Sequence, residues 1–140
     1  MSSKKDKFSS EDKKFMKLAL NLASNNKSLT GTNPSVGCVL VKDKRIISYG
    51  VTGINGRPHA ETVAINKNFK NVAGSTAYIT LEPCSHYGQT PPCTNALIKS
   101  KIKKVFYSID DVDERSFQKS KKILNKKKIL TKSGLLKKES

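Results

Sequence analysis

The N-terminal third of the chain carries one helical pattern and then two strand patterns. Residues 9–12 are two hydroxyl residues followed by two acids, the residue types that begin helices. Apolar residues then recur at i, i+3, i+4 spacing in one stripe that ends near Asn25: Phe15, Leu18, Ala19, Leu22 and Ala23. The apolar run 36–41 is too short for a helix and predicts a buried strand. Residues 45–51 follow a turn at 42–44 and predict its hairpin partner.

The rest of the chain alternates between helical and strand patterns. Three helices are predicted, over His59 to about Phe69, 93–100 and 115–125. Three strands are predicted, over 76–81, 103–109 and a short last segment, 128–131. In the helix at His59 the expected core residues are Ala60, Val63, Ala64 and Ile65. This order predicts an α/β fold with a central mixed sheet of about five strands and helices on both faces. Because no repeat or linker interrupts it, we expect residues 1–140 to form a single domain.

The charge of the chain bears on its partners. The 27 basic and 11 acidic residues give a net charge of +16, which attracts phosphate chains. Only three of the basic residues are arginine, the residue best suited to bidentate phosphate contacts: Arg45, Arg57 and Arg115. Residues 99–140 carry +9 of the net charge, away from the residues that carry candidate chemistry. We interpret the lysines as a solvated surface and do not expect nucleic acid to be a partner.

Several features of the chain indicate its compartment. No stretch approaches 18 uncharged apolar residues, so no membrane span is expected. Residues 1–12 are polar and lysine-rich, without the apolar segment of a secretory signal. Three cysteines, two of them candidate metal ligands, leave no disulfide pair, which fits a reducing compartment. We therefore expect a cytoplasmic protein.

Candidate chemistry lies in three short segments. His59 precedes Ala60 and Glu61 at the start of a predicted helix, Pro83-Cys84 follows a predicted strand, and Cys93 begins another helix. One imidazole and two thiolates are typical of a catalytic zinc site, because they leave the fourth tetrahedral position for water. Glu61 can take and return the protons of that water without binding the metal. H-x-E followed by P-C and a second Cys is the pattern of zinc deaminases.

The spacing of the two thiols carries a family resemblance. Residues 83–93 read P-C-S-H-Y-G-Q-T-P-P-C, with eight residues between the cysteines. This resembles the deaminase domain of the riboflavin biosynthesis family, whose motif is P-C-S-H-x-G-[KR]-T-P-P-C. Three further segments are similar to that family: 33–38 (N-P-S-V-G-C), 56–61 (G-R-P-H-A-E) and 77–82 (A-Y-I-T-L-E). The likeness runs from about Phe15 to Leu135.

The resemblance implies a fold, a reaction and a set of site residues. It implies a three-layer α/β/α fold of the cytidine deaminase-like type and hydrolytic deamination of 2,5-diamino-6-ribosylamino-4(3H)-pyrimidinone 5′-phosphate. The products would be 5-amino-6-ribosylaminouracil 5′-phosphate and ammonia. The implied zinc ligands are His59, Cys84 and Cys93, with Glu61 as the catalytic acid–base group. The implied substrate-binding residues are Asn33, Ala60, His86 and Asp111.

The family also implies partners. Its members commonly continue into an NADPH-dependent reductase domain and associate through the deaminase domain. Residues 1–140 contain no glycine-rich dinucleotide loop, so we expect the reductase to be absent here and supplied by a separate or fused partner. A homo-oligomer of unspecified size is a further expectation.

Three positions depart from the family pattern. Gln89 stands where the family has Lys or Arg near the substrate phosphate, and Thr52 stands where it often has a second His. Asp113 replaces an amide in the segment after the fourth strand. An added carboxylate repels a phosphate by roughly 1 kcal/mol at 4 Å in water. Phosphate recognition is therefore expected to differ, with a Lys or Arg from elsewhere as the candidate replacement.

Other interpretations of the same residues remain open. The chain could be a tRNA adenosine or nucleoside deaminase, or a noncatalytic RNA-binding module stabilised by zinc. A closed structural zinc site would need a fourth protein ligand, whereas Cys38 lies within an apolar strand, where free cysteines are usually packing residues. Structural alternatives are loop capping for His86 and turn formation for Asn33.

Overall fold

Four α-helices and five strands lie in the residues that the structure, a computed structural model, describes: 8–26, 29, 34–85, 92–110 and 119–137. In chain order they are α1 (Ser10–Asn25), β1 (Gly37–Lys42), β2 (Arg45–Val51), α2 (Ala60–Lys67), β3 (Thr76–Leu81), α3 (Cys93–Lys99), β4 (Lys104–Ile109), α4 (Lys119–Lys126) and β5 (Leu130–Lys132). A short 3-10 turn, Ile54–Gly56, lies between β2 and α2. None of the described helices is long and apolar enough to cross a membrane.

The ends of α1 and of the hairpin follow from local chemistry. The Ser9 side chain accepts a hydrogen bond from the Asp12 backbone N–H, and the Asp12 carboxylate accepts one from the Ser9 N–H, each at 3.0 Å. This reciprocal pair satisfies two amides that the helix leaves without intrahelical partners. The hairpin turns at Asp43 and Lys44, both of which have positive φ, as a two-residue turn between twisted strands requires. The predicted helix start and hairpin are confirmed.

The five strands form one mixed sheet in the order β2-β1-β3-β4-β5. Strand β1 is antiparallel to both β2 and β3, whereas β3, β4 and β5 are mutually parallel. The two parallel connections pass through α3 and α4, as parallel neighbours need a crossover between them. The prediction of an α/β fold with a mixed five-stranded sheet is confirmed.

Both faces of the sheet are covered by helices. On one face, α1 packs through Phe15, Met16 and Ala19 against alternate strand residues such as Tyr78 and Phe106. On the other face, α2, α3 and α4 pack on the intervening residues, among them Cys38, Ile79 and Val105. The period-2 alternation of strand side chains therefore serves two cores at once. This arrangement confirms the three-layer α/β/α architecture.

Two helices are rotated from the orientation expected from sequence. In α1 Met16 is fully buried, and Leu18, a member of the predicted apolar stripe, is 37% exposed. At 100° per residue, Leu18 lies well to one side of the stripe centred between Phe15 and Met16. In α2 the predicted core residue Val63 is only half-buried, because the buried stripe includes Glu61 instead. Val63 faces β2 at Gly50 but is only partly buried, and Leu18 lies outside the buried part of the predicted stripe.

Close backbone approach fixes where α2 lies on the sheet. A Cβ added to Gly50 of β2 would overlap the Ala60 carbonyl oxygen and approach the Ala64 nitrogen to 2.7 Å. Beside it, the Ser48 hydroxyl donates a 2.6 Å hydrogen bond to the Ala64 carbonyl. The first turn of α2, which follows His59, therefore rests directly on the backbone of β2.

Candidate metal centre

Three elements bring their ends together at the carboxyl end of β3. His59 is the N-cap residue of α2, Cys84 follows β3 after Pro83, and Cys93 is the first residue of α3. Helices α2 and α3 contact each other on the same face of the sheet, so their N-termini meet above the end of this strand. Ligands in open α/β sheets bind at such carboxyl ends. The structure brings together the three residues predicted as metal ligands.

The donor atoms have the spacing of a small metal site. His59 Nδ1 lies 3.3 Å from Cys93 Sγ and 3.8 Å from Cys84 Sγ, and all three donor atoms lie within 4.8 Å of one another. Tetrahedral zinc bonds of about 2.0–2.3 Å place neighbouring ligand atoms roughly 3.3–3.8 Å apart. One nitrogen and two sulfurs at this spacing fit zinc in both chemistry and geometry.

Hydrogen bonds concentrate negative charge on Cys84. The Cys93 thiol, then His59 and the Cys93 backbone N–H, which donates to Cys84 Sγ at 3.1 Å, lower the pKa of Cys84 to about 4. The same contact with Cys84, together with burial, raises the pKa of Cys93 well above its usual range. The pKa of His59 is raised chiefly by its hydrogen bond to Cys84. The cluster therefore holds a thiolate, the form of cysteine that binds metals.

Glu61 lies beside these ligands and is buried. It is the second residue of α2, and its side chain is 4% exposed and hydrogen-bonded to Cys93. Burial raises the pKa of Glu61 to about 7, and the nearby charge of Cys84 adds to the shift. A carboxyl group with a pKa near neutrality can both accept and donate a proton at the ligand cluster.

Glu82 is a second buried carboxylate near the cluster, and its role was not predicted from sequence. It is 2% exposed, two residues before Cys84, and accepts hydrogen bonds from the Ser120 N–H and hydroxyl at 3.3 and 2.7 Å. Its own N–H donates to the Ile109 carbonyl at 2.8 Å. Glu82 thus joins the end of β3 to the end of β4 and the start of α4. Its place in the segment 77–82 was visible in sequence, whereas its partner lies 38 residues away.

Arg57 is another site residue without a role predicted from sequence. Its Nη1 atom lies 3.5 Å from His59 Nε2, on the side of the imidazole opposite the nitrogen that faces the thiols. The side chain is half-buried. The charge of Arg57 tends to lower the pKa of His59, which favours the neutral imidazole that binds metals.

The departure at Thr52 has a local structural role. Its side chain is 2% exposed, and Oγ1 accepts a hydrogen bond from the Val36 N–H at 2.8 Å. Its carbonyl oxygen accepts another hydrogen bond from the Asn26 side chain at 2.5 Å. Thr52 therefore holds the segment that enters β1 and the end of α1 against the end of β2.

Of the four residues predicted to bind substrate, the structure describes one. Ala60 is fully buried at the first position of α2, where its backbone N–H has no intrahelical acceptor. Asn33, His86 and Asp111 lie outside the described residues, as do Gln89 and Asp113. Their roles stay predictions.

Comparison with known proteins connects this site to a family. The profile described as the cytidine and deoxycytidylate deaminase zinc-binding region matches residues 9–109, which include all three predicted ligand residues and Glu61. The chain belongs to this deaminase family. Deaminases of this family are enzymes that hydrolyse a C–N bond, and the His59–Cys84–Cys93 cluster lies in the matched zinc-binding region.

Individual relatives narrow the type of deaminase. The diaminohydroxyphosphoribosylamino-pyrimidine deaminase of Buchnera aphidicola subsp. Schizaphis graminum is 44% identical over 130 residues, which are 93% of this chain and 88% of that protein. The riboflavin biosynthesis protein RibD of Haemophilus influenzae is 47% identical over 84% of this chain and 32% of its own length. Resemblance to the riboflavin-biosynthesis deaminases is therefore confirmed.

Solved structures in the deaminase family share the fold. Acinetobacter baumannii RibD superposes with a TM-score of 0.88 and 40% identity over 92% of this chain and 36% of that one. A Thermotoga maritima deaminase/reductase, described as a diaminohydroxyphosphoribosylaminopyrimidine deaminase and 5-amino-6-(5-phosphoribosylamino)uracil reductase, gives 0.85 and 38% identity. The chain spans about a third of the length of these RibD relatives.

Proposed function

We propose that this deaminase acts on 2,5-diamino-6-ribosylamino-4(3H)-pyrimidinone 5′-phosphate in riboflavin biosynthesis. The observation that carries the proposal is the His59–Cys84–Cys93 cluster with Glu61 buried beside it. The Buchnera relative whose length this chain nearly matches supports this substrate. The reaction adds water to C2 of the pyrimidine ring and releases the 2-amino group as ammonia.

Zinc is the metal that the donor set fits best. His59 Nδ1 and the sulfurs of Cys84 and Cys93 would hold it, with no further cysteine or histidine beside them among the described residues except buried Cys38 on β1. When bound, zinc lowers the pKa of a water molecule towards neutrality. The thiolate on Cys84 prepares the cluster for the cation, because thiolates are the metal-binding form of cysteine.

Glu61 is the proton-transfer group in this proposal. Its carboxylate takes a proton from the attacking water and delivers it to a ring nitrogen as the water oxygen bonds to C2. It then takes the remaining proton of the added hydroxyl and delivers it to the 2-amino group. The C2–N bond breaks as the C2 carbonyl forms, so the amine leaves as ammonia and the carboxylate is regenerated. Burial supports this cycle, because it holds the pKa of Glu61 at about 7, where both protonation states are accessible.

Substrate orientation is proposed for Ala60 and for three residues taken from the family motifs. The unpaired backbone N–H of Ala60 at the start of α2 is a suitable donor to a ring oxygen or nitrogen. Asn33, His86 and Asp111 are proposed as further contacts from their positions in the family motifs. A reductase, separate or fused, would consume the product, and cytoplasmic location and self-association are part of the same proposal.

The test compares substrates and a Glu61 variant on the zinc-loaded chain. Ammonia release is measured with the pyrimidine phosphate, cytidine and adenosine-bearing tRNA in parallel. We expect release from the pyrimidine alone, and release from tRNA alone would contradict the proposal. Glu61→Gln should lower kcat by about 10²–10⁴ while it retains one zinc. Loss of zinc in that variant would mean that Glu61 is a ligand and not the proton-transfer group.

A further inference from the structure

The anionic end of the proposed substrate needs a positive partner in this site. Two buried carboxyl groups lie close to the cluster among the described residues: Glu61, two residues after His59, and Glu82, two residues before Cys84. Each of these groups repels a phosphate monoester. Position 89, where the resembled family carries Lys or Arg, is glutamine in this chain.

Arg57 lies where such a partner is needed. The phosphate is joined to the reacting pyrimidine ring through a ribosylamino group. When C2 of the ring lies at the metal site, the phosphate must therefore lie to one side of the three donor atoms. The guanidinium is beside His59, 3.5 Å from Nε2, whereas Nδ1 of the same ring faces the two thiols. Residues 52–59 lead into the cluster, and Arg57 carries the positively charged side chain among the described residues of this segment.

The backbone holds Arg57 in place. The loop that carries it is closed by a hydrogen bond from the Gly53 N–H to the Pro58 carbonyl at 2.9 Å. A Cβ on Gly53 would overlap the Arg57 carbonyl oxygen, so only glycine permits this closure. The 3-10 turn Ile54–Gly56 fills the loop, and the Gly56 N–H donates to the Gly53 carbonyl at 2.9 Å. The guanidinium is thereby attached to a short, internally bonded loop next to a ligand residue.

The guanidinium also retains capacity for an anion. It carries five N–H donors in a planar fork that matches two phosphate oxygens. No carboxylate in the described part of the chain forms an ion pair with Arg57, and the side chain is half-buried, so solvent screening is reduced.

We propose that Arg57 binds the phosphate monoester of the substrate and takes the place of the basic residue that this chain lacks at position 89. The inference rests on the proposed function and deepens it, because it names the group that selects a phosphorylated pyrimidine riboside over the unphosphorylated one. Arg57 is a binding and specificity residue, whereas Glu61 moves the protons.

The first experiment measures steady-state kinetics of the zinc-loaded chain with the phosphorylated substrate and with its dephosphorylated riboside. Arg57→Gln should raise KM for the phosphorylated substrate roughly 10- to 100-fold more than it raises KM for the riboside. Zinc content is measured for each variant, and any change in kcat that comes from the contact of Arg57 with His59 should be the same for both substrates. Arg57→Lys should give an intermediate KM, because lysine keeps the charge but not the fork.

A rescue and a matched control sharpen this test. Gln89→Lys in the Arg57→Gln background should recover most of the lost affinity, since it restores a cation at the family position. Lys119→Gln removes an exposed cation at the start of α4 without a contact to the ligand cluster, and it should leave KM unchanged. An equal KM increase for both substrates, or a larger effect of Lys119→Gln than of Arg57→Gln, would overturn the proposal.

A second measurement separates this inference from the proposed reaction. Ribose 5-phosphate should bind the zinc-loaded wild type in calorimetry and should bind Arg57→Gln about 10- to 100-fold more weakly. If this difference is seen and the pyrimidine is not deaminated, the anion subsite stands and the proposed function fails. If the pyrimidine is deaminated and Arg57→Gln changes neither KM nor ribose 5-phosphate binding, the function stands and the role of Arg57 is wrong.

Discussion

Glu61 shows how one buried side chain shapes both the chemistry and the stability of the site. Its carboxyl group lies on the core-facing side of α2, where an apolar residue would be the usual occupant. Burial disfavours the charged form and raises its pKa to about 7. A group kept for chemistry at this position lowers the stability of the metal-free protein at neutral pH.

The loss of folding stability caused by the buried Glu61 carboxyl group should depend on pH. Between about pH 4.5 and 7 the unfolded chain releases the Glu61 proton that the folded chain retains, so stability falls as pH rises through this window. Glu61→Gln has no such proton to lose. In urea unfolding with a chelator present, the stability of the variant relative to wild type should therefore grow from pH 4.5 to pH 7.5. A difference that is constant or shrinks over this range would contradict the expected pKa.

The site residues differ in how well their positions could be predicted from the sequence. His59, Glu61, Cys84 and Cys93 are recognisable in sequence because metal ligands and proton carriers belong to few residue types at restricted spacing. The position of Arg57 beside His59 depends on a loop closed by Gly53 and Pro58, which no spacing rule encodes. The link from Glu82 to Ser120 depends on the crossover that brings α4 back to β3.

At the scale of elements, the placement of α2 depends on a missing side chain. Gly50 lets the first turn of this helix lie against β2, and that turn carries His59 at its cap and Glu61 in its second position. Any added side chain at Gly50 would have to move backbone atoms of α2, because the atoms that it meets are the Ala60 carbonyl and the Ala64 nitrogen. The candidate metal centre is thus supported by a strand that contributes none of the predicted ligands.

Gly50→Ala is the test of this support. We expect a loss of stability of about 2 kcal/mol or more from overpacking, together with weaker zinc binding, because α2 must shift away from Cys84 and Cys93. Zinc affinity is measured by competition with a chromophoric chelator. Gly134→Ala is the control, since its φ of +89° makes the substitution strained while no atom lies within 4 Å of the added Cβ. It should cost stability without a change in zinc affinity, and equal effects on zinc would contradict the argument.

Element boundaries were predictable where local chemistry decides them. The capping pair of Ser9 and Asp12 and the strand Thr76–Leu81 agree with the sequence patterns. Helix orientation was less predictable, because the exposed position of Leu18 and the burial of Glu61 depend on which face meets the sheet. The helix predicted from Arg115 begins at Lys119 in the described residues, and residues 111–118 lie outside them.

At the scale of the whole molecule, several lysines lie at the end of the sheet opposite the candidate metal centre. A cleft of about 320 Å³ at the amino ends of β3 and β4 is lined by four lysines, Lys42, Lys44, Lys103 and Lys104, and by three acids, Glu11, Asp12 and Asp43. The ligand cluster lies at the opposite, carboxyl end of β3. Three consecutive exposed lysines, 126–128, precede β5 at the same end of the sheet as the cleft. The net charge of the whole chain is +16, so repulsion among its basic side chains opposes folding.

Salt should therefore stabilise the protein. Raising NaCl from about 10 mM to about 150 mM shortens the screening distance from roughly 30 Å to roughly 8 Å, which weakens repulsion between lysines on neighbouring turns. We expect Tm to rise over this range in thermal unfolding followed by circular dichroism. Lys127→Gln, which removes one charge from the exposed run, should show a smaller rise. A fall in Tm with salt would mean that attractive ion pairs dominate the surface.

The three predicted ligands lie on two successive connections between strands, and this placement affects how α2 and α3 can move. His59 is the N-cap of α2 and Cys93, 34 residues later, is the first residue of α3, with Cys84 between them after the end of β3. An ion held by all three would act as a cross-link that shortens the free chain between these helices. Neither helix could then detach from the sheet alone, so their amide protons would exchange with solvent through one shared opening event instead of two independent ones.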